Sequence, residues 1–344
     1  MDTYRILEYL RGNEGPAVLA TVIAVEGHSY RKEGAAMLFL PNGGTIGSIS
    51  PGCLESDLAE RMPVILGDGS PEIVTYNMKP EEDPIWGEAI GCGGVIRVLL
   101  ESVQGRLLTI LRKAYLEVDS GRETHLVRER RGSRIRYSLV GGYVPTKPIA
   151  RKHDIRNQLY KSIFVPRPRM ILFGAGQDSI FLNLTLQRIG FRVVVSDWRT
   201  DLLTSERFPG AELVSGVPRE IVHSLVVGRD DYVVVCSHQM RQDKEFLRFV
   251  LPIRPAYIGI MGSRKRIIHL LDGLPVTPNV YAPVGLDIGA EGPEEIAVSV
   301  AAELIAVRAS KKTTALREGA EDAHSGYLFS GGAEQENGLS QNIR

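Results

Sequence analysis

From residue 169 onward, short apolar runs rich in β-branched residues alternate with stretches of helical periodicity. Between the first run and the first helical stretch stands Gly174-Ala175-Gly176-Gln177-Asp178-Ser179. A strand that feeds a helix through glycines, with another strand behind it, fits one arrangement best: a parallel sheet covered by helices on both faces. Strands are predicted at 170–173, 191–196, 211–214, 231–236, 256–261 and 279–282. Helices are predicted at 179–188, 218–227, 244–251, 264–271 and, with Pro near its first turn and Arg308 near its end, 293–308. The fold class is therefore α/β, with a C-terminal Rossmann-like parallel sheet.

The glycine loop has the context that a dinucleotide fingerprint requires. Gly174 allows the tight turn, and Gly176 lets backbone approach a pyrophosphate. The third position departs from the pattern, with Ser179 where Gly or Ala is usual. Asp197 ends the next strand, where an acid would accept a hydrogen bond from a ribose 2′-hydroxyl. Many Rossmann-like domains use the same crevice for other ligands. Ser263-Arg264-Lys265-Arg266 opens a helix beyond the strand at 256–261. It reads equally as a phosphate site or as a solvated basic face. His238 reads as an ordinary loop histidine and Cys236 as a buried, inert one.

The N-terminal part has a different rhythm. A helix at 3–10 precedes strands at 17–25, 35–40, 45–49, 72–76 and 95–100, with Pro41-Asn42-Gly43-Gly44 as a hairpin turn. This makes an α+β domain. Ser50 is a candidate N-cap and Pro51 suits a first helical turn, which puts Cys53 at a helix N-terminus. Backbone N–H groups there favour a thiolate, giving a nucleophile, a soft ligand or a sulfur carrier. The alternative is a small apolar residue closing a strand–helix corner. Residues 104–168 read as a partly structured connection, with a helix at 107–118, a charge-rich hairpin at 128–136 and a basic stretch at 149–168. Pro166-Arg167-Pro168 marks a boundary. The expected organisation is a domain at 1–103, the connection at 104–168, the Rossmann-like domain at 169–312 and a disordered polar tail at 313–344.

Charge and cysteine usage exclude several classes. The 41 basic and 41 acidic residues cancel, so no global field draws the chain to nucleic acid or an anionic membrane. Apolar runs fall short of the ~20 residues of a membrane span. Three widely spaced cysteines without a CxxC make no disulfide framework. The start lacks a secretory pattern, and a cytoplasmic location is expected.

Several blocks, taken together, carry a resemblance. They are Leu19-Ala20-Thr21-Val22, Ser29-Tyr30-Arg31, Gly34-Ala35, Gly47-Ser48 and Gly52-Cys53-Leu54-Glu55, then Ile85-Trp86-Gly87, Gly91-Cys92-Gly93-Gly94 and Val98-Leu99-Leu100-Glu101. Arg207-Phe208-Pro209, Ala256-Tyr257-Ile258-Gly259, Gly262-Ser263-Arg264 and Gly285-Leu286-Asp287-Ile288-Gly289-Ala290-Glu291 continue it. In this order they resemble the XdhC/CoxI family of accessory proteins for molybdenum hydroxylases. Two positions depart from the family pattern: Pro51 precedes Gly52-Cys53 where Gly is usual, and His28 precedes Ser29-Tyr30 where Ser is usual.

The resemblance implies a maturation chaperone rather than an enzyme. Such a protein binds the molybdenum cofactor (molybdopterin) and protects it while a cysteine desulfurase supplies sulfur. It then delivers the cofactor to an apo-hydroxylase such as xanthine dehydrogenase. On this reading Cys53 and Cys92 offer thiolates to the cofactor's molybdenum. Gly52 and Gly93 admit a bulky pterin, and Arg31 with Lys32 holds its phosphate. Gly174, Gly176, Asp197, Ser263 and Arg264 would hold the far end or a nucleotide such as NAD. No HExxH-type zinc motif is present. A homodimer is the expected assembly. Two competing readings are an NAD(P)-dependent oxidoreductase, resting on Gly174, Gly176 and Asp197, and a purely structural partner of the hydroxylase.

Overall fold

A computed structural model describes residues 2–78, 94–132, 134–141 and 157–321, with backbone only at 311–321. The chain divides into two compact units, Met1–Arg167 and Pro168–Arg344.

The first unit opens with helix α1 (Asp2–Gly12), strands β1 (Val18–Glu26), β2 (Ala36–Phe39) and β3 (Thr45–Gly47), and helices α2 (Glu55–Glu60) and α3 (Met62–Asp68). Strands β4 (Glu72–Asn77) and β5 (Val95–Ser102), helix α4 (Gly105–Asp119) and strands β6 (Thr124–Arg131), β7 (Arg134–Gly141) and β8 (Gln158–Phe164) complete it. An antiparallel sheet runs β3-β2-β1-β5-β4. Successive side chains of a strand point to opposite faces. Leu19 and Leu38 therefore join a core with α1 and α4, while Val18 and Phe39 join Leu54 and Leu58 on the other face. Covering both faces explains why β1 is apolar at nearly every position, Thr21 excepted, until its exposed end at Glu26. The predicted connection at 104–168 contributes α4 and a second antiparallel sheet, β7-β6-β8, with Leu126 and Phe164 in the first core. The basic stretch at 149–168 thus contains a strand, β8, hydrogen-bonded to β6. Residues 149–156 lie outside the described residues.

The second unit comprises β9 (Arg169–Phe173), α5 (Gln177–Arg188), β10 (Arg192–Asp197), β11 (Glu212–Ser215), α6 (Pro218–Ser224), β12 (Tyr232–Val235) and α7 (Met240–Val250). After these come β13 (Tyr257–Ile260), α8 (Arg264–Leu271), β14 (Val280–Tyr281) and α9 (Gly292–Glu321). Its parallel sheet has the order β11-β10-β9-β12-β13-β14, the doubly wound arrangement predicted from the alternation. Met170, Leu172, Val193 and Val195 pack against α5 and α9, and Ile171, Phe173, Val194 and Val233 against α6, α7 and α8. The order reverses between β9 and β12, which opens a crevice at the carboxyl ends of those strands. Helix α9 continues past its predicted end at Arg308 to Glu321, into the polar stretch expected as tail; residues 322–344 lie outside the described residues. No helix among the described residues is long and apolar enough to cross a membrane.

Candidate functional site

Cys53 sits one step earlier than a helix N-terminus. Helix α2 begins at Glu55, and residues 51–54 form a turn before it. Ser50 is therefore the hub of that turn rather than the helix N-cap. Its Oγ accepts from the amides of Gly52 at 3.1 Å and Leu54 at 3.2 Å, and from the Cys53 thiol at 3.5 Å. Its own hydroxyl donates to the Glu55 carboxylate, which also accepts from the amides of Ser50 at 2.8 Å and Ile49 at 3.3 Å. Burial alone would raise the Glu55 pKa, but these donors hold it below the usual carboxylate range. Leu54 and Ile49 are buried beneath, leaving Cys53 half-buried at the surface. Gly52 has φ +126, and a Cβ there would meet nothing within 4 Å among the described residues.

Cys92 and Gly93 lie outside the described residues. The described residues on either side are hydrogen-bonded, Met78 N–H donating to Gly94 O at 2.8 Å. Gly94 packs so tightly on the 26–28 loop that a Cβ would lie 2.2 Å from His28 O. Gly94, the first described residue after Gly93, thus lies against the start of the loop that carries Arg31. The Arg31 guanidinium pairs with the Asp2 carboxylate, so a phosphate there would compete with an existing partner. Lys32 is exposed.

In the second unit the glycine loop closes on the neighbouring strand. A Cβ on Gly174, φ +122, would lie 2.4 Å from Ser237 Cα and N. The departure at Ser179 has a structural use. Its hydroxyl donates to Gly174 O at 2.5 Å and lies 3.2 Å from Cys236 Sγ, linking loop, helix and β12. Cys236 is buried, and burial pushes its thiol up to about 12. Asp243, also buried, accepts from Ser237 and Arg266; desolvation raises its pKa despite them. Ser263 caps α8, accepting from Arg266 N–H at 3.3 Å. Arg264 instead lines a cavity of about 840 Å³ formed by the segment after β14 and by α9, where Gly285 N–H and the Tyr257 hydroxyl donate to Glu303.

These residues, as placed, do not fit a nicotinamide dinucleotide. Asp197 is fully buried, and both its oxygens are occupied. Oδ2 accepts from Ala175 N–H at 2.7 Å and Arg199 Nη2 at 2.8 Å, and Oδ1 from the amide and Nε of Arg199. No acceptor is left for a ribose hydroxyl. In the first turn of α5, where a pyrophosphate would lie, stands the carboxylate of Asp178. It is joined across the crevice to His238 Nε2 at 2.8 Å, and His238 has φ +58 to reach it. A carboxylate there repels a diphosphate. The Asp178–His238 link and the Arg199 cover were missed in the sequence, because nothing in the spacing signals either partner. Among the described residues, no group of three or more His, Cys, Asp or Glu side chains is placed to hold a metal ion.

The molecule thus combines an antiparallel unit, displaying a cysteine on a glycine-flanked turn, with a doubly wound unit whose dinucleotide loop is closed by its own side chains. Residues 170–304 match the XdhC Rossmann domain, and residues 10–77 match the XdhC and CoxI family. A probable xanthine dehydrogenase subunit of Bacillus subtilis is 35% identical, covering 89% of this chain and 97% of that protein. The chain belongs to the XdhC/CoxI family. The molybdenum cofactor insertion chaperone PaoD of Escherichia coli is 22% identical over 88% of this chain and 86% of its own. A crystal structure described as a xanthine dehydrogenase from Bacillus halodurans superposes with TM-score 0.81 at 36% identity, covering 90% of this chain and 96% of that one.

Proposed function

We propose that this protein is an accessory factor that holds the molybdenum cofactor as cargo, supports its sulfuration by a cysteine desulfurase and passes it to a xanthine dehydrogenase-type apo-hydroxylase. The observation that carries the reading is its nearly full-length relationship both to a probable xanthine dehydrogenase subunit and to a molybdenum cofactor insertion chaperone. The Cys53 turn supports it chemically. A half-buried thiol beside a glycine that no described residue crowds suits a soft metal–sulfur centre on a bulky pterin. Cys92 and Gly93 are the proposed second grip on the cargo. Arg31, released from Asp2, is the proposed phosphate contact, with Ser263 and Arg264 as further candidates. The occupied carboxylate of Asp197 favours this reading over the oxidoreductase one.

The test is to purify the protein from molybdate-fed cells and assay it for released pterin fluorescence, molybdenum and nicotinamide. Pterin with molybdenum in near-equal amounts is the expected result. Nicotinamide without pterin would overturn the proposal, and absence of both would favour a structural partner.

A further inference from the structure

The first unit buries an arginine more completely than any rule of composition would suggest. The Arg128 side chain on β6 is 1% exposed and its partner Glu101 on β5 is 0% exposed. Arg128 Nε donates to both Glu101 oxygens at 2.8 Å, and Nη1 donates to Ser162 Oγ at 2.8 Å. Nη2 is buried without a partner among the described residues, and so is Thr21 Oγ1 on β1. Both residues line a single small cavity of about 40 Å³, together with Gly34, Ser162 and an apolar wall that includes Leu7 and Phe164.

A buried polar group left unpaired bears its full desolvation penalty, so native interiors rarely contain one, and two on residues that line one void point to an occupant. A cavity needs roughly 10–15 Å³ of accessible volume and two to four polar partners to hold a water. This one exceeds that volume, and Arg128 Nη2, Thr21 Oγ1 and Ser162 Oγ supply three polar atoms. We propose that the cavity is a binding site for one ordered water molecule, which accepts from Arg128 Nη2 and hydrogen-bonds to Thr21 Oγ1. Charge selects water over an anion. Glu101 already neutralises Arg128, so a halide would be a buried charge with no counter-ion of its own. Thr3 is the one further polar side chain of the lining, and about 40 Å³ leaves little room for a larger ligand.

The water gives three strands a shared polar contact. Thr21 belongs to β1, Arg128 to β6 and Ser162 to β8, so one molecule links the five-stranded sheet to the three-stranded one. It also lies at the root of the loop carrying Arg31, which is fastened to β1 by Gly34 N–H to Val22 O and Val22 N–H to Ala35 O, both at 2.9 Å.

High-resolution crystals of the full chain test this directly. A spherical density peak about 2.7–3.2 Å from both Arg128 Nη2 and Thr21 Oγ1 is expected. An empty cavity would overturn the proposal. So would an anomalous peak there after a bromide soak, which would make it an anion site. Oxygen-17 relaxation dispersion gives a second reading in solution. Thr21→Val keeps the shape but removes the hydroxyl, and it should lower the count of long-lived internal waters by one. An unchanged count in the folded variant would contradict the assignment. If that variant fails to fold, the crystal result on the unsubstituted chain decides.

Discussion

The turn at Cys53 and the crevice floor at Cys236 are made from the same parts: a strand end, a glycine at positive φ, a serine hydroxyl and a cysteine. At the first, Ser50 gathers the turn amides and the thiol, and the thiol stays half-buried. At the second, Ser179 binds the loop carbonyl, and the thiol lies in the core between helix and sheet. The two glycines have nearly equal torsions, φ +126 at Gly52 and φ +122 at Gly174, yet a Cβ on the first meets no described residue while one on the second runs into the Ser237 backbone. A glycine-rich loop beside a cysteine is thus not itself a sign of reactivity. Whether the glycine frees room for a ligand or for another backbone decides it.

The sharpest way to break the comparison is to add one methyl group at each glycine. Gly174→Ala forces a Cβ against Ser237 backbone that no side-chain movement can relieve, with positive φ besides. It should cost ~4 kcal/mol or more, enough to unfold the second unit or make the chain insoluble. Gly52→Ala has the same torsional strain but no clash, and should cost only ~1–2 kcal/mol. Urea denaturation of both variants checks this, and equal losses would mean that the contact at Ser237 is not what separates the two loops.

The cysteines themselves come next. Cys53→Ala should abolish sulfuration of the client hydroxylase while costing no more than about 1–2 kcal/mol of stability. A full yield of active client in cells whose sole copy carries Cys53→Ala would remove the thiol from the function. Alkylation should separate the two sites without any substitution. With iodoacetamide at mildly alkaline pH, peptide mapping of the native protein should find Cys53 modified. Cys236, whose thiol burial pushes up to about 12, should remain unmodified until the chain unfolds.

Much of the second unit was legible because each buried strand is a short apolar run between helices, and every predicted strand overlaps an observed one. The first unit was legible in its five-stranded sheet and in the charge-rich hairpin of β6 and β7, but not in β8, which lies in the stretch read only as basic. Within the hairpin, Arg128 turns inward to Glu101, a pairing across 27 residues that no local pattern records. The site divides in the same way. The Cys53 turn follows from its own few residues, although Ser50 acts through the turn and not the helix. The hydrogen bonds that fill Asp197 come from Ala175, 22 residues away, and from Arg199, two residues on. A fingerprint built on spacing cannot reveal that its acid is already occupied.

The smallest effect expected concerns pH, and here the two regions should differ in sign. Burial works to raise the Glu55 pKa, but the Ser50 hydroxyl and the Ser50 and Ile49 amides outweigh it and hold the folded value below the usual one. Its contribution to stability is then fully present above the unfolded carboxylate pKa of about 4 and disappears as pH falls through the lower folded value. Asp243 is the opposite case, because desolvation raises its folded pKa above the unfolded one. Its ionisation therefore weakens the fold as pH rises through that value, and protonation relieves it. Glu55→Gln keeps one acceptor oxygen for the amides but loses the charge. It should be less stable than wild type by ~1 kcal/mol at neutral pH and converge with it only in acid, as pH falls through the lowered folded value. Asp243→Asn, which cannot ionise, should instead differ from wild type least in acid and gain on it toward neutrality, where wild type bears the buried charge. Urea midpoints measured from neutral pH downward give both curves. A Glu55→Gln deficit that stays constant into acid would mean that the charge on Glu55 does not hold the Cys53 turn, leaving its oxygen atoms as the sole contribution.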